Sequence, residues 1–475
     1  MKKPVLIIIL ALVLVSPYLI AFSSKSRIEG YVAFLDNMPG YTAAIEEYQS
    51  GYLHSTATVR LGLDTEILGQ SLDSIETIAP FVNSFAEGSL FKINITHGPI
   101  LPGASPLIGL FHADIALASN PDYIEELKAT LGVDALLETE LTMGLFGSGQ
   151  LSFTAPAFQL NIDDDENNLN FGGMNIVYSL GDYGRTYELE GELKPITLTS
   201  LNQDNTKHAN IGPILLTGFG DFSEGFLLGT GEFALDIVSV SFSDGNTSGT
   251  IEHFIIGASV TNPAPSTLSV GYHFNIGHLE SSDQDMTIDN LVLDFSLNNL
   301  NKEGLIEFYE TMGEFVAIQD PEAMQDQVMN SISKIYSENP EFEIKQLSFL
   351  ANDSASFNLS GALGINSDAF PDSTLMLDNP FELIANLTAR LNLNFNEGFL
   401  AFSKDSYIRR QYADRDLSDA AYAKISRQQQ LAFDTSIAEI LAAGYIIKNG
   451  ADYSLSATMI EGNLVVNGDP VPLPF

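Results

Sequence analysis

Three polar residues lie near one another in the sequence and could do chemistry together: His97, His112 and Asp114. A histidine can bind a metal ion or act as a general base near neutral pH. The separation of fifteen residues between the two histidines matches no metal-binding motif. Because histidines at strand ends more often bond to the backbone, we interpret all three residues as structural.

Two further groups of residues also lack the spacing of a metal-binding site. His273 and His278 are five residues apart, which in a strand places them on opposite faces, so they would not share a ligand. The acidic run from Asp163 to Asn168 offers oxygen ligands for calcium, but it lacks glycine at its sixth position, and Met174 stands where an EF-hand needs glutamate. A solvated loop is the simpler interpretation. The sequence therefore predicts no catalytic, cofactor-binding or metal-binding residue, and no enzyme.

The elements that must position these residues are mainly strands. From Ser55 to Leu63, apolar and polar residues alternate with the period of two that is typical of a half-buried strand. Glycine, asparagine and aspartate turns separate the similar stretches that follow. We predict strands at 90–95, 151–161, 174–180, 187–198, 233–242, 251–260, 267–276, 291–297, 342–350, 356–365, 381–395, 454–459 and 463–466.

Helices are predicted in fewer places. Residues 28–45 and 120–137 have mixed or helical patterns, and a last helix is expected over 417–441, with Asp416 as N-cap and Gly444 beyond its end. A helix pair is expected after residue 300, where two apolar stripes recur at helical spacing. The stripes are Leu305, Phe308, Tyr309, Met312, Phe315 and Val316, then Met324, Val328, Ile332 and Ile335.

The N-terminus predicts a membrane segment. After Lys2 and Lys3, residues 4–24 carry no charge, and at ~1.5 Å per residue they reach roughly 30 Å, the thickness of a bilayer core. We expect a retained anchor with the body exported. A cleaved signal peptide is the alternative, since Ala21-Phe22-Ser23 resembles a cleavage site.

The predicted fold is α+β and mainly β, an N-terminal transmembrane helix followed by a long antiparallel β body with a central helix pair and a C-terminal helix. The predicted parts are a transmembrane anchor at 1–24, a mainly β periplasmic region at 25–300, the helix pair at 301–338 and a C-terminal β region with one long helix at 339–475.

Composition narrows the possible functions. The chain has no cysteine, which excludes disulfides, thiol nucleophiles and thiolate metal sites. Its 61 acidic and 21 basic residues give a net charge of −40, and such a surface repels the phosphates of nucleic acids. With 45% apolar residues the body is too hydrophobic to be disordered. We therefore expect a folded acidic protein without nucleic-acid partners.

Several strings of residues resemble the YdgA-like proteins of Gram-negative bacteria. They are Tyr48-Gln49-Ser50-Gly51-Tyr52-Leu53-His54-Ser55, Ile95-Thr96-His97-Gly98-Pro99, the strand and helix from Leu291 to Leu305, and Gly462-Asn463-Leu464-Val465-Val466-Asn467-Gly468. Tyr52 departs from the pattern, where tryptophan is expected. The resemblance implies an inner-membrane protein with a periplasmic body that self-associates, and it implies no reaction, cofactor or active site.

Two classes of function remain. The first is a structural or binding module of the bacterial envelope that offers an apolar β surface to a lipid or a protein partner and forms a homodimer through the 305–335 helix pair. The second is an envelope hydrolase whose site is assembled from distant residues. An elongated apolar surface would favour the first class, whereas His97, His112 and acids gathered in a polar cleft would favour the second.

Overall fold

The computed structural model describes most of the body of the chain. The described ranges are 41–63, 88–101, 108–118, 121–162, 167–202, 205–225, 228–244, 247–282, 286–314, 321–367, 385–412 and 419–472, and in residues 1–40 only 17, 20, 21, 24–26, 28–30, 32, 33 and 36. The chain divides into two units. Unit 1 comprises Met1–Ser200, Pro213–Gly229 and Gly313–Gln319, and unit 2 comprises Leu201–Gly212, Thr230–Met312 and Asp320–Phe475.

Unit 1 is built on antiparallel strands. They are β1 Tyr41–Gln49, β2 His54–Leu63, β3 Ser89–His97, β4 Phe111–Leu117, β5 Glu138–Met143, β6 Gly149–Ala155, β7 Phe158–Ile162, β8 Asn167–Phe171, β9 Met174–Gly181, β10 Thr186–Leu193, β11 Ile196–Asn202, whose last two residues fall in unit 2, and β13 Ile214–Asp221. Strands pair in the order β1, β2, β3, β4, β5, β6, β9, β10, β13, and β8 lies between β7 and β11.

One side of this sheet carries the core of unit 1. Ile95, Phe111 and Met143 on neighbouring strands are 1%, 1% and 0% exposed. Helical residues near the N-terminus cover them, because Ile28 belongs to the same buried cluster and Val32 packs against it. Strands with one buried face need such a second layer, and here a helix supplies it.

Unit 2 is a longer antiparallel sheet. Its strands are β12 Asn205–Ile211, β14 Thr230–Ser243, β15 Ser248–Ala264, β16 Thr267–Ser281, β17 Met286–Asn301, β18 Glu341–Ala351, β19 Ala355–Ile365, β20 Leu387–Asn396, β21 Ile447–Asn449, β22 Asp452–Ile460, β23 Asn463–Val466 and β24 Asp469–Val471. Neighbours along the sheet are β12, β14 to β20 in sequence, β22, β23 and β24, and β21 also pairs with β22.

Besides the helical residues near the N-terminus, five α-helices have both bounds in the described residues. They are α1 Pro121–Leu131, α2 Lys302–Glu314, α3 Pro321–Ile335, α4 Glu397–Tyr412 and α5 Asp419–Ala442. The predicted pair after residue 300 is confirmed as α2 and α3. Of the last predicted helix, 419–441 is confirmed, while Asp416 lies outside the described residues. Mainly β architecture with antiparallel strands and few helices is likewise confirmed.

Two predicted strands are wrong in their continuity. The stretch 151–161 is divided into β6 and β7 at Pro156, and 187–198 into β10 and β11 at Pro195. Proline has no N–H to give to a ladder, so each proline interrupts the strand that the alternation predicted as one.

Two helix predictions need correction, and one helix was not predicted. Ile45, placed in a helix, lies in β1 opposite Val59. Helix α1 ends at Leu131 rather than Leu137, because Gly132 takes a left-handed conformation, φ 67°, that is typical of a helix end. Helix α4 was missed altogether, since its apolar residues form no stripe at helical spacing.

The predicted anchor at 1–24 lies almost wholly outside the described residues. Of its members that are described, Ile20, Ala21 and Ser24 are buried at 8%, 3% and 1% exposure. Among the helices in the described part of the chain, none combines the length and the apolar character that crossing a bilayer requires.

Candidate functional site

The long strands of unit 2 separate apolar from polar side chains. Residues paired across antiparallel strands share a face of the sheet. The row that begins at Leu235 in β14 continues through Ile256, Phe274 and Leu293 to Leu347, Leu359, Leu393 and Leu455. The opposite side carries His273, Asp294 and Gln346 in one row. We call these two sides the apolar face and the polar face.

Two rows of the apolar face are exposed. One runs through Phe233, Ala258, Tyr272, Phe295, Ile344, Gly361 and Leu391, and the next through Val260, Val270, Leu297, Phe342 and Leu363. Six of their large side chains are between 36% and 47% exposed: Phe233, Tyr272, Leu297, Phe342, Leu363 and Leu391. We call these two rows the exposed strip. Apolar surface gathered in this way is typical of a binding surface.

The apolar face continues past a slip, a place where the alternation of apolar and polar residues shifts by one position. In β17 the residues of the apolar face stand at the odd positions 291, 293, 295 and 297, but earlier in the strand the apolar residue is Ile288, at an even position. In β15 they stand at the even positions 254–260, but earlier in the strand the apolar residue is Ile251, at an odd position. His253 and Asn290 lie at the slip with φ of 51° and 50°. A left-handed residue interrupts the pleat of a strand, so the apolar side chains keep to one face across the slip.

Another part of the apolar face is covered. The Phe399 ring of α4 lies 5.9 Å from the ring of Phe349, 4.9 Å from that of Phe357 and 5.6 Å from that of Phe395. Phe395 stacks on Tyr453 at 5.1 Å, and the two are 8% and 5% exposed. In β20 the exposed strip begins only four residues away, so covered and exposed parts belong to the same surface.

The polar face holds histidines paired with acids. The His278 Nδ1 atom lies 2.6 Å from Asp289 Oδ1, and this hydrogen bond raises the pKa of His278, with nearby Glu252 and Glu280 adding to the effect. His253 lies 3.4 Å from Asp236, and His273 lies 4.0 Å from Asp294. His273 and His278 thus lie on the same face, because the slip at His253 and Asn290 shifts the alternation, so the prediction that they occupy opposite faces is wrong. Their acidic partners are nevertheless separate. Within the ranges described above, no cluster of three possible metal ligands exists.

In unit 1, a serine and a histidine form a buried pair. The Ser55 Oγ atom lies 2.8 Å from His97 Nε2, with Ser55 2% and His97 1% exposed. Gly51 N–H donates to Ser55 Oγ at 3.1 Å, and His97 N–H donates to the Leu53 carbonyl at 2.8 Å. The turn between β1 and β2 is therefore tied to the end of β3.

The surroundings of this pair are apolar. Burial lowers the pKa of His97, and His54 lowers it further, whereas burial raises the pKa of the Tyr48 hydroxyl. Ser55 beside the Tyr48 hydroxyl offsets part of that rise in pKa, and His97 Nδ1 has no hydrogen-bond partner in the described part of the chain. The lowered pKa of His97 favours its neutral form, and among the described residues no carboxylate orients it as in a catalytic triad.

His112 and Asp114, which lie near His97 in the sequence, are not close to it in the fold. His97 is paired with Phe111, while His112 is paired with Thr96, so the two histidines occupy opposite faces of the same sheet. His112 Nδ1 lies 2.9 Å from Thr142 Oγ1, and its Nε2 lies 3.3 Å from an oxygen of Asp114. The structure thus brings His112 and Asp114 together and separates both from His97.

The acidic run that offered calcium ligands is only partly described. Residues 163–166 lie outside the described residues, and Asn168 belongs to β8. The Asn168 side-chain amide donates to Asn161 at 2.5 Å, and it accepts from the Asn170 amide at 2.8 Å. These asparagines therefore form a ladder across β7 and β8.

A family comparison identifies the relatives of this protein. The model of a bacterial protein family, described as a bacterial protein of unknown function (DUF945), matches residues 1–474. The chain belongs to this family. Neither the comparison with curated proteins nor that with solved structures found a match.

In this member of the DUF945 family, the buried pair joins two strings that were separate in the sequence. One string ends at Ser55, and the other contains His97 and Gly98. Gly98 is required there, since a Cβ atom would collide with the carbonyl oxygen of Gly109. Ser55 was missed as a partner of His97, because forty-two residues separate them and only the pairing of β2 with β3 reveals their proximity.

Proposed function

We propose that this DUF945 protein is a membrane-anchored binding or structural protein of the bacterial envelope, with residues 1–24 as a single anchor and the body in the periplasm. Its exposed strip holds the apolar part of a lipid or protein partner. The resemblance of several strings of residues to YdgA-like inner-membrane proteins supports this location. No reaction is part of the proposal.

The exposed strip carries the proposal. A side chain such as Phe342, 40% exposed, gains about 25 cal/mol for each Å² of apolar area that a partner removes from water. Six such side chains in two adjacent rows therefore give a partner a sizeable apolar contact. A surface of this kind is typical of binding rather than of catalysis, which needs polar groups within hydrogen-bond reach of one another.

Fractionation of cells that express the full chain tests the location. We expect the protein to stay with inner membranes after carbonate washing, to keep Met1, and to be digested by protease once the outer membrane is opened. A soluble form that starts near Ser24, or a body that protease reaches only after the inner membrane is broken, would contradict the proposal.

The second candidate function is an envelope hydrolase, and the hydrogen bond between Ser55 and His97 favours it. A serine 2.8 Å from a histidine has the geometry of an activated nucleophile. Against it, both residues are almost fully buried and the histidine has no carboxylate partner in the described residues. Hydrolysis of p-nitrophenyl butyrate by the wild type, lost in Ser55→Ala at equal abundance, would establish this second function instead.

A further inference from the structure

The exposed strip differs from ordinary surface in its chemistry. Its two rows contain aliphatic and aromatic side chains and glycine, and the Tyr272 hydroxyl is their one polar side-chain group from β14 to β20. Charged side chains such as Asp294 and Glu343 stand in the rows of the polar face. A ligand on the strip is thus recognised by hydrocarbon contact and not by charge.

The dimensions of the strip fit a lipid chain. Seven strands, β14 to β20, spaced about 4.8 Å apart, make a row roughly 29 Å long. One leaflet is half of a hydrocarbon core about 30 Å thick, so a chain of leaflet length, roughly 15 Å, fits within such a row. The rings of Tyr272 and Phe295, whose centroids are 5.3 Å apart, stack on each other in the middle of the strip and give a hydrocarbon chain aromatic surface to pack against.

Charge distinguishes a lipid chain from a second copy of the protein. Each copy carries a net charge of −40, so pressing two copies together face to face works against strong repulsion. A hydrocarbon chain brings no charge. The same acidity opposes flat binding to an anionic bilayer surface, which favours the uptake of individual chains.

We propose that the exposed strip binds the acyl chains of membrane phospholipids. This inference rests on the proposed function and names its partner. The chains lie along the two rows from β14 to β20, in contact with Phe233, Tyr272, Leu297, Phe342 and Leu363.

Photocrosslinking of the full chain tests this inference. Phe342 is replaced by p-benzoylphenylalanine, which keeps a phenyl ring in the strip, and in a second sample Gln346 is replaced instead. Gln346 is exposed, lies in the same strand and belongs to the polar face. After irradiation in vesicles of phosphatidylcholine and phosphatidylethanolamine, mass spectrometry should find at least tenfold more lipid adduct at position 342. Equal labelling, no adduct, or a covalent protein dimer as the main product at 342 would overturn the inference.

A charge in the strip provides the second arm of the test. Leu297 pairs with Phe342 and is 38% exposed, so Leu297→Glu leaves the fold intact while it places a carboxylate beside the crosslinker. We expect adduct formation at 342 to fall about tenfold. Leu198→Glu is the matched control, because Leu198 is 43% exposed in unit 1, and it should change nothing. Undiminished labelling in Leu297→Glu would contradict binding in the strip.

The two proposals fail in different ways. A protein that survives carbonate washing but gives no adduct at 342 refutes acyl-chain binding and leaves the envelope location standing. A protein that washes off the membrane refutes the anchor, while the ratio of adducts at 342 and 346 still decides whether the strip binds lipid.

Discussion

Two sheet faces in this protein carry similar apolar side chains, but one face is buried and the other is exposed. In β3 to β5, Ile95, Phe111 and Met143 are at most 1% exposed, because helical residues such as Ile28 cover them. In β14 to β20, Phe233 and Phe342 are 39% and 40% exposed. The difference teaches that the alternation of a strand determines which face is apolar, whereas a cover determines whether that face is core or binding surface.

The largest expected effect is the difference in unfolding free energy lost when a ring is removed from each of the two faces. Phe111→Ala removes a fully buried ring and should lower the free energy of unfolding by about 3–5 kcal/mol. Phe342→Ala removes a ring that is 40% exposed and should cost about 1 kcal/mol or less. Urea denaturation of the two variants, followed by circular dichroism, measures the contrast. Similar losses in both variants would mean that the exposed strip is part of a core.

The second prediction concerns the buried pair beside the covered face. Ser55→Ala removes the hydrogen-bond partner of His97 Nε2, so both buried ring nitrogens would lack a partner among the described residues, and it should cost about 1–3 kcal/mol. Ser179→Ala, at an exposed serine in β9, is the control and should change the free energy of unfolding by at most about 0.5 kcal/mol. Equal urea midpoints for the two variants would show that the pair contributes nothing to stability.

The third prediction contrasts two histidines by pH. Because the pKa of His97 is lowered in the fold, His97 is protonated at a higher pH in the unfolded chain than in the folded protein. This residue therefore makes the fold less stable as pH falls below about 6.5. The raised pKa of His278 has the opposite sign: its stabilising contribution is complete below about pH 6.5 and is lost as pH rises through its folded pKa.

NMR titration of histidine rings and unfolding curves at several pH values measure both signs. His97→Gln should remove the loss of stability on acidification, and His278→Gln should remove the gain. A His97 ring that titrates above pH 6.5 would contradict its burial, and a His278 ring that titrates below it would contradict its bond to Asp289.

The sequence predicted the strands and helices that form the two faces, but not which apolar face is covered. Alternation located the strands, and the spacing of Leu305, Phe308 and Met312 located α2, because both patterns are local. The exposed strip could not be predicted, since an apolar side chain in β16 looks the same whether or not a helix covers it. The pairing of Ser55 with His97 depends on strand register, which the sequence does not display.

The smallest expected effect is at Asp114, and it tests the absence of catalysis. Its side chain is 60% exposed and lies 3.3 Å from His112, and an exposed contact of this kind contributes about 0–1 kcal/mol. Asp114→Asn should therefore leave stability, lipid crosslinking and any growth phenotype of a deletion strain unchanged. His97→Ala should lower stability yet complement the deletion wherever the protein accumulates to normal abundance. Since a catalytic group must act within hydrogen-bond reach of its partners, loss of complementation by either folded, abundant variant would replace the binding proposal with the hydrolase.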